Sequence, residues 1–399
     1  MTETHSEPRR LSLPFDSQSV ESMQTLLKLS KLPEKPPIPT ADKWSLGIDL
    51  EYLANLREAF VNTWSWKDLE RRMRLDDNYV VEMKDDSDEL TVHFIHCKSA
   101  RVDAIPLIIL HGWPGTAFDY SKVIDGLINP PAGEPAFHVV APSLPGFFLS
   151  TLPNREGWTI VDTAKIFNCL MTDVLGYQVY AAQAGDWGSH LLRVMSSTYP
   201  SNILLTLFNM FHCPTVAPQH DKKNFESLSL SEARAQERRE EFYRTGQGYF
   251  HIQRTKPLTI GNAVGASPLS ILAYIGEKIY SWSDPSLVNA NDILDAVALY
   301  YLSGSFASSV LIYEQSDKVL FEELMSTPVK QKVKSKVGYS AYPFEIGRVY
   351  KEDIEAACDG PVVYYKEHDA GGHFPALDCP EEFVGDLREF CGKHWNTTP

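Results

Sequence analysis

The sequence is poor in cysteine and has neither a leader-like segment nor a long run of purely apolar residues. Six cysteines are scattered over 399 residues, with neither CxxC spacing nor the regular pattern of a disulfide framework. This usage is typical of reduced thiols in a reducing compartment. Residues 1–10 are polar and of mixed charge, without the apolar segment of a secretory signal. These absences predict a soluble cytoplasmic protein.

Positive charge is also scarce, and this limits the partners that the protein can have. Lysine and arginine number 37 against 52 acidic residues, giving a formal net charge of -15. Such a balance disfavours nucleic acid and anionic membrane surfaces as partners. The longest uncharged stretch, residues 296–313, contains glycine and several serines. We therefore interpret it as a buried helix–turn–helix and expect no membrane span.

Apolar residues make up 43% of the chain, enough for one large α/β domain with an insertion or for two domains. Several short apolar runs have the length of buried strands, and stretches of helical character separate them. Strands that alternate with helices indicate a mostly parallel, doubly wound α/β sheet. The predicted strands of the first half are residues 90–95, 106–110, 137–141 and 203–208.

The rhythm of strands and helices divides the chain into four parts. Residues 1–89 are predicted to form a helical, tryptophan-rich meander that wraps the outside of the core. Residues 90–215 and 326–399 are predicted to supply the two parts of the α/β core. Residues 216–325 show no strand alternation, so we expect a helical cap over the strand ends, where such folds bind ligands.

Residues 184–189 form the most informative stretch of the chain. An apolar run of strand length precedes them, an amphipathic run follows, and glycine occupies positions 185 and 188. That pattern predicts a strand, a sharp turn and a helix, with Asp186 at the apex of a nucleophile elbow. A carboxylate is already a nucleophile at neutral pH, and its attack gives an ester. The alternative is that Asp186 only caps the helix.

Three further sites complete a possible catalytic set. The turn at residues 111–115 follows a buried strand and could direct a backbone N–H into an oxyanion hole. An ordinary glycine–proline turn has the same composition. Glu345 and His373 each follow a predicted strand near the end of the chain. A lone histidine is more often structural, but nucleophile, acid and histidine in this order match the chain order of the α/β-hydrolase triad.

These motifs together resemble those of the α/β-hydrolase epoxide hydrolases, specifically the microsomal-type branch that includes soluble fungal members. The similarity covers essentially the whole chain, and two tyrosine segments in the cap are its specific part. The long N-terminal meander is also typical of this branch. The matching segments are residues 111–115, 185–189, 248–257, 308–313, 341–345 and 371–374.

The resemblance implies a role for each site residue in epoxide hydrolysis. Asp186 would attack the epoxide and form an ester, while Tyr249 and Tyr313 protonate the ring oxygen. His373, supported by Glu345, would then activate a water that hydrolyses the ester. No metal and no cofactor are implied. The backbone N–H groups of Trp113 and Trp187 would hold the oxyanion. Two tryptophan and two phenylalanine side chains would line the substrate pocket: Trp113, Trp187, Phe148 and Phe374.

Two departures from the family pattern bear on the substrate and the location. Phe148 stands where relatives often have a smaller residue, which would narrow the pocket. The membrane-anchoring N-terminal helix of the animal enzymes is missing, which is consistent with a soluble protein. The implied partners are a small hydrophobic epoxide and water. A homodimer formed through the cap and the meander is a hypothesis.

Other functions remain open from the residues alone. A haloalkane dehalogenase shares the aspartate, histidine and acid, but would hold a halide with tryptophan or asparagine N–H groups and needs no paired cap tyrosines. A non-catalytic receptor for a small hydrophobic ligand is the alternative outside the enzymes. Taken alone, Tyr249 and Tyr313 are each better interpreted as core aromatics, so their assignment as acids depends on the resemblance. Within epoxide hydrolysis, detoxification and secondary metabolism differ only in the substrate.

Overall fold

The protein is built on one large sheet in the computed structural model, which describes residues 4–73, 77–85, 88–213, 230–326 and 328–395. Within these residues the sheet has ten strands, in the order β1-β3-β4-β6-β5-β7-β8-β9-β10, with β2 also paired to β3. The strands are β1 Thr4–His5, β2 Arg9–Arg10, β3 Asn78–Asp85, β4 Asp88–Cys97, β5 Ile105–Leu110, β6 Phe137–Pro142, β7 Tyr180–Ala184, β8 Ile203–Phe208, β9 Lys336–Ala341 and β10 Val362–Glu367.

The sheet has a parallel part and an antiparallel part. Strands β6, β5, β7, β8, β9 and β10 run parallel to one another in that order. Strands β1 to β4 join through antiparallel pairings, and β4 pairs antiparallel with β6. The predicted α/β fold with a mostly parallel sheet is confirmed. Because parallel strands end at one edge of the sheet, the loops after β5, β7, β9 and β10 can meet there.

The central strands are apolar because the sheet is covered on both faces. Leu107, Ile108, Ile109 and Leu110 of β5 are all fully buried, as expected for a parallel strand between two layers of helix. Strand β7 is buried throughout its length, yet it contains Gln183. A polar side chain in such a strand requires a specific partner.

The prediction of a purely helical N-terminal segment is wrong at both ends, since β1 and β2 precede its helices and β3 follows them. The structure has helices α1 Ser17–Leu29, α2 Leu50–Asn62 and α3 Trp66–Met73, but residues 78–85 form β3, which pairs with β4. The sheet therefore continues past β4, the strand that contains the first predicted strand, residues 90–95. Tertiary pairing along the whole strand outweighs the weak local signal of this mixed polar and apolar run.

The core helices follow the strands as a doubly wound fold requires. Helix α6 contacts β5, β7 and β8, and the last helix contacts β8 and β9. The helices of the core are α4 Ile124–Ile128, α5 Ile160–Cys169, α6 Asp186–Thr198, α15 Lys351–Ala356, α16 Pro375–Asp378 and α17 Pro380–His394, with a 3₁₀ helix at Ala117–Lys122 and a π-helical turn at Leu170–Val174.

The residues predicted as a cap are helical where they are described, and they lie between β8 and β9. Their charged and apolar runs form helices joined by short breaks, with Gly304 in a left-handed conformation after α11. The helices are α7 Leu230–Glu241, α8 Gly248–Thr255, α9 Pro257–Gly265, α10 Pro268–Trp282, α11 Ala290–Ser303, α12 Phe306–Ser309, α13 Leu311–Gln315 and α14 Asp317–Val319, with π-helical turns at Phe242–Gly246 and Leu320–Leu324.

The N-terminal helices pack directly on the cap helices. The rings of Trp44 and Tyr280 stack with centroids 4.0 Å apart. The indole N–H of Trp64 donates to Oδ1 of Asp295 in α11 at 2.8 Å, and Arg72 of α3 pairs with the same carboxylate. The meander therefore fixes the cap helices as well as covering the core.

No single helix of the described residues is long and apolar enough to cross a membrane. Two pairs of helices together have that length and composition but are sharply bent, α9 with α10 by 115° and α11 with α12–α13 by 101°. The second pair contains residues 296–313, which form the predicted helix–turn–helix.

Replacing Gly188 by alanine should destabilise the protein. A Cβ at this position in α6 would lie 2.3 Å from the carbonyl oxygen of Leu110 and 2.8 Å from that of His111. Both obstacles are backbone atoms, so we expect a loss of ~1–3 kcal/mol or more in the free energy of unfolding, measured by chemical denaturation. The matched control is Gly385→Ala in α17, where a Cβ meets nothing within 4 Å and the better helix former should add ~0.5–1 kcal/mol. Equal effects of the two substitutions would contradict this account of the elbow.

Candidate active site

Asp186 lies at a sharp turn between β7 and α6. Gly185 is extended, with φ -125° and ψ 176°, and Asp186 has a positive φ of 45°. A non-glycine residue in that region costs ~1–3 kcal/mol and persists where its surroundings hold it. The carboxylate also lies so close to Gly112 that a Cβ there would be 2.1 Å from Asp186 Oδ1. The turn therefore holds the carboxylate at the strand ends, as an elbow does.

The turn after β5 supplies a hydrogen bond to this carboxylate. The backbone N–H of Trp113 donates to Asp186 Oδ1 at 2.8 Å. His111 fixes the turn, since its Nδ1–H donates to the carbonyl of Gly112 at 2.9 Å and its Nε2 accepts the N–H of Leu144 at 3.1 Å. Burial lowers the pKa of His111 to about 4, so the ring is neutral in this arrangement. A carbonyl oxygen at the place of Oδ1 would accept the Trp113 N–H, as an oxygen in an oxyanion hole does.

His373 and Glu345 come together because the loops after β9 and β10 are tied to each other. Phe344 and Gly372 form a parallel bridge, and the N–H of Phe344 donates to the carbonyl of Gly371 at 3.0 Å. Glu345 is fully buried. Its Oε1 accepts the N–H of Gly347 at 2.9 Å, which fixes the carboxylate towards the histidine.

The three side chains form a hydrogen-bonded chain. His373 Nδ1 lies 2.8 and 2.9 Å from the two carboxylate oxygens of Glu345, and Nε2 lies 3.2 Å from Asp186 Oδ2. Burial opposes a charge on His373, but the two carboxylates outweigh burial and raise its pKa to about 10. With both carboxylates ionised, the histidine therefore carries a proton at neutral pH.

The two cap tyrosines lie over Trp113 of the turn after β5, which is the predicted oxyanion turn. The Tyr249 ring stacks on Trp113 with centroids 5.4 Å apart and planes 11° apart. The Tyr313 ring meets Trp113 edge-on at 5.9 Å and Trp187 at 5.0 Å, and the two tyrosine rings are 5.9 Å apart. Helices α8 and α13 thus bring two phenols from distant parts of the chain to the elbow.

These phenols are strong candidates for proton donors. Burial, followed by the charge of Asp186, raises the pKa of Tyr249 well above its ordinary value. Burial, followed by electrostatic interaction with Tyr249 and Asp186, does the same for the pKa of Tyr313. The Tyr313 hydroxyl has no hydrogen-bond partner of normal geometry in the part of the chain that the structure describes. A buried hydroxyl of this kind is available to a ligand.

The three other residues predicted to line the pocket are Trp187, Phe374 and Phe148, and they have different neighbours. Trp187 follows Asp186 in α6, and Phe374 packs on His373 with ring centroids 4.9 Å apart. Phe148 instead meets His93 at 4.9 Å and Phe118 at 5.0 Å. None of the described ring contacts joins Phe148 to the cluster around Trp113, so its role in substrate binding stays a prediction. The Trp187 backbone N–H as a second oxyanion donor also stays a prediction.

Sequence reasoning missed several residues that border the triad. Trp282, at the end of α10, accepts the N–H of His373 on its carbonyl at 2.9 Å and packs its ring on the histidine at 5.3 Å. Gln183 and Asn209 hydrogen-bond to each other at 2.8 Å beneath the elbow. A lone glutamine in the apolar run before residue 185 was a usable signal, whereas nothing local marks Trp282.

Two family models match parts of the chain. The model described as "Epoxide hydrolase N terminus" matches residues 8–120. The model described as "alpha/beta hydrolase fold" matches residues 105–205. Together they cover the meander, the oxyanion turn and the elbow.

Relatives and solved structures extend the similarity over the whole chain. A Stigmatella aurantiaca protein that bears an epoxide hydrolase name is 33% identical over 391 residues, covering 96% of this chain and 84% of its own length. Epoxide hydrolase 1 of Sus scrofa is 28% identical, covering 92% and 85%. The structure of Aspergillus niger epoxide hydrolase matches with a TM-score of 0.81 at 28% identity, covering 98% of this chain and 96% of that one. The chain therefore belongs to the epoxide hydrolase family and has the α/β-hydrolase fold.

Proposed function

We propose that this enzyme converts a small hydrophobic epoxide and water to a vicinal diol through a covalent ester on Asp186. One observation supports the proposal above the others. The Asp186 carboxylate at the elbow accepts the backbone N–H of Trp113. Two buried phenols, those of Tyr249 and Tyr313, lie over the ring of the same Trp113. An epoxide needs both a nucleophile and an acid for its leaving oxygen, and this arrangement offers both.

In the first step Asp186 Oδ2 attacks a ring carbon of the epoxide, and the bond from that carbon to the ring oxygen breaks. The oxygen takes a proton from Tyr249 or Tyr313, so that no free alkoxide is released. Oδ1 becomes the ester carbonyl and keeps the hydrogen bond from the Trp113 N–H. High phenol pKa values keep both tyrosines protonated at neutral pH, which is the state that an acid requires.

In the second step the ester changes the charge around His373. Esterification removes the negative charge of Asp186, one of the two that raise the histidine pKa. The pKa falls, and the proton that leaves His373 restores the tyrosine. Neutral His373, held by Glu345, then takes a proton from water as the water oxygen attacks the carbonyl carbon of the Asp186 ester. His373 returns that proton to the departing alkoxide, and the new Asp186 carboxylic acid reprotonates His373.

The cap phenols also separate this proposal from a haloalkane dehalogenase, which has no alkoxide to protonate. The same mechanism would serve detoxification or secondary metabolism, because the two roles differ only in which epoxide is the substrate. The homodimer and the cytoplasmic location stay predictions.

A single turnover in heavy-oxygen water tests the proposed ester. With enzyme in excess over a simple aryl epoxide, we expect label in the peptide that contains Asp186 and a first-turnover diol that is largely unlabelled, because water attacks the ester carbon. Mass spectrometry of the digested enzyme and of the diol measures both. Label that enters the diol directly, with none on Asp186, would mean direct attack of water on the epoxide. Release of halide from a haloalkane panel, without epoxide turnover, would favour the dehalogenase.

A further inference from the structure

A cavity of about 40 Å³ adjoins Asp186 and His373. Its lining comes from the α/β core, namely the turns after β5, β7 and β8 and the loop that contains His373, while the cap tyrosines lie elsewhere. A water occupies roughly 30 Å³ of liquid volume, and a buried water needs two to four polar partners. The cavity therefore has room for at least one water next to Asp186, which would carry the ester, and His373, which would activate the water.

Gln183 gives this cavity a polar group that the protein leaves unsatisfied. Its side chain is 2% exposed, and its Nε2–H donates to Asn209 Oδ1 at 2.8 Å. Asn209 Nδ2 in turn lies 3.4 Å from the carbonyl of His373. The Gln183 Oε1 has no hydrogen-bond partner among the described residues. This buried acceptor has no protein partner and belongs to a residue that lines a cavity with room for water, so a water is the partner that it can take.

Asp119, in the 3₁₀ helix after the oxyanion turn, is a second polar group in the wall. The hydroxyl of Thr116 donates to Asp119 Oδ1 at 3.2 Å. Oδ2 occupies the space that a side chain at Gly115 would take, since a Cβ there would lie 2.5 Å away. Burial raises the pKa of Asp119 to about 7, so the carboxyl can accept or donate a hydrogen bond near neutral pH.

Asp119 also borders a second cavity of about 30 Å³. That cavity extends between the 3₁₀ helix, α3 and α11, and its wall includes Arg72, whose side chain is 38% exposed. One carboxyl group therefore lies between a space beside the triad and a space that reaches a partly exposed side chain.

We propose that Asp119 and Gln183 are positioning residues for the hydrolytic water. Both accept hydrogen bonds from water in the cavity beside Asp186 and His373, and Asp119 links that cavity to the second one, from which the water is replaced after each turnover. The inference rests on the proposed ester mechanism. It assigns these residues to the hydrolysis step alone, because the epoxide reacts on the side of the cap tyrosines.

The test separates the two steps in rapid-quench single turnovers with styrene oxide, followed by mass spectrometry of the ester. At pH 8, Asp119→Asn replaces an ionised acceptor by a weaker amide acceptor, and Gln183→Met removes its acceptor altogether. Each should slow ester hydrolysis roughly tenfold, the effect of one weakened or lost hydrogen bond, and should leave the rate of ester formation unchanged. Ester should therefore accumulate in both variants. A residue with only a structural role would slow the two steps together.

Asp378→Asn is the matched control, because burial also raises the pKa of this carboxyl to about 7 and it lines neither cavity. It should leave both steps unchanged. Asp119→Asn removes a carboxylate that is costly to ionise when buried, so it should melt no lower than the wild type at pH 8. Parallel loss of both steps, or unchanged hydrolysis in both variants, would overturn the inference. Heavy-oxygen label that enters the wild-type diol directly, with none on Asp186, would instead overturn the proposed function.

Discussion

Replacing His373 by glutamine should leave the enzyme able to form the ester on Asp186 but nearly unable to hydrolyse it. Glutamine removes the general base, and such a group contributes between about 10² and 10⁴ in rate. The nucleophile, its Trp113 hydrogen bond and the cap phenols remain in place. We expect one equivalent of epoxide to be consumed, with the Asp186 peptide gaining the mass of the epoxide. Intact-protein and peptide mass spectrometry measure both.

His368→Gln is the matched control for this substitution. His368 is also a buried histidine with a carboxylate partner, and its Nε2 lies 2.7 Å from Asp386 Oδ2. It should lose stability without accumulating ester. In the wild type, ester hydrolysis should rise with pH and level off well below pH 10, since the ester lacks one of the charges that raise the His373 pKa to about 10. Rapid turnover by His373→Gln would show that another group is the base.

Removing both phenols should abolish the first step. The variant with Tyr249→Phe and Tyr313→Phe retains the rings that pack on Trp113 but has no proton donor for the epoxide oxygen. Either single substitution should lower the rate of ester formation by about 10–10². The double substitution should lower the rate by about 10⁴, because neither phenol is left to compensate for the loss of the other. Single-turnover rates of ester formation measure the effect. The rate at which the ester formed by each variant is then hydrolysed is measured alongside it.

Tyr274→Phe is the control for this pair. Tyr274 is a cap tyrosine that meets Trp113 at 5.9 Å, the same centroid distance as Tyr313, but it belongs to α10 and is absent from the predicted acid pair. It should retain the rate of ester formation within a factor of about two to three. A loss in Tyr274→Phe as large as that in the double variant would contradict the assignment of the two acids.

The elbow and the order of the triad could be predicted because their signals are local. Glycines at positions 185 and 188 around Asp186, after an apolar run, are typical of a sharp strand–turn–helix. Glu345 and His373 follow strands, and strand ends meet at one edge of a parallel sheet. Strand β3 was missed because its stability comes from pairing with β4, and a short run of mixed polarity carries little of that information.

The sequence by itself determined the fold class and the family and predicted the nucleophile, because strand alternation, the elbow and the family motifs are contained in short stretches. Only the tertiary structure decided which side chains meet around Asp186. It placed Tyr249 and Tyr313 over Trp113, put Phe148 among His93 and Phe118, and brought Gln183 and Asp119 to one cavity. Those distances are set by the packing of helices on a sheet, in which residues far apart in the chain fill the same space, and no local pattern encodes them.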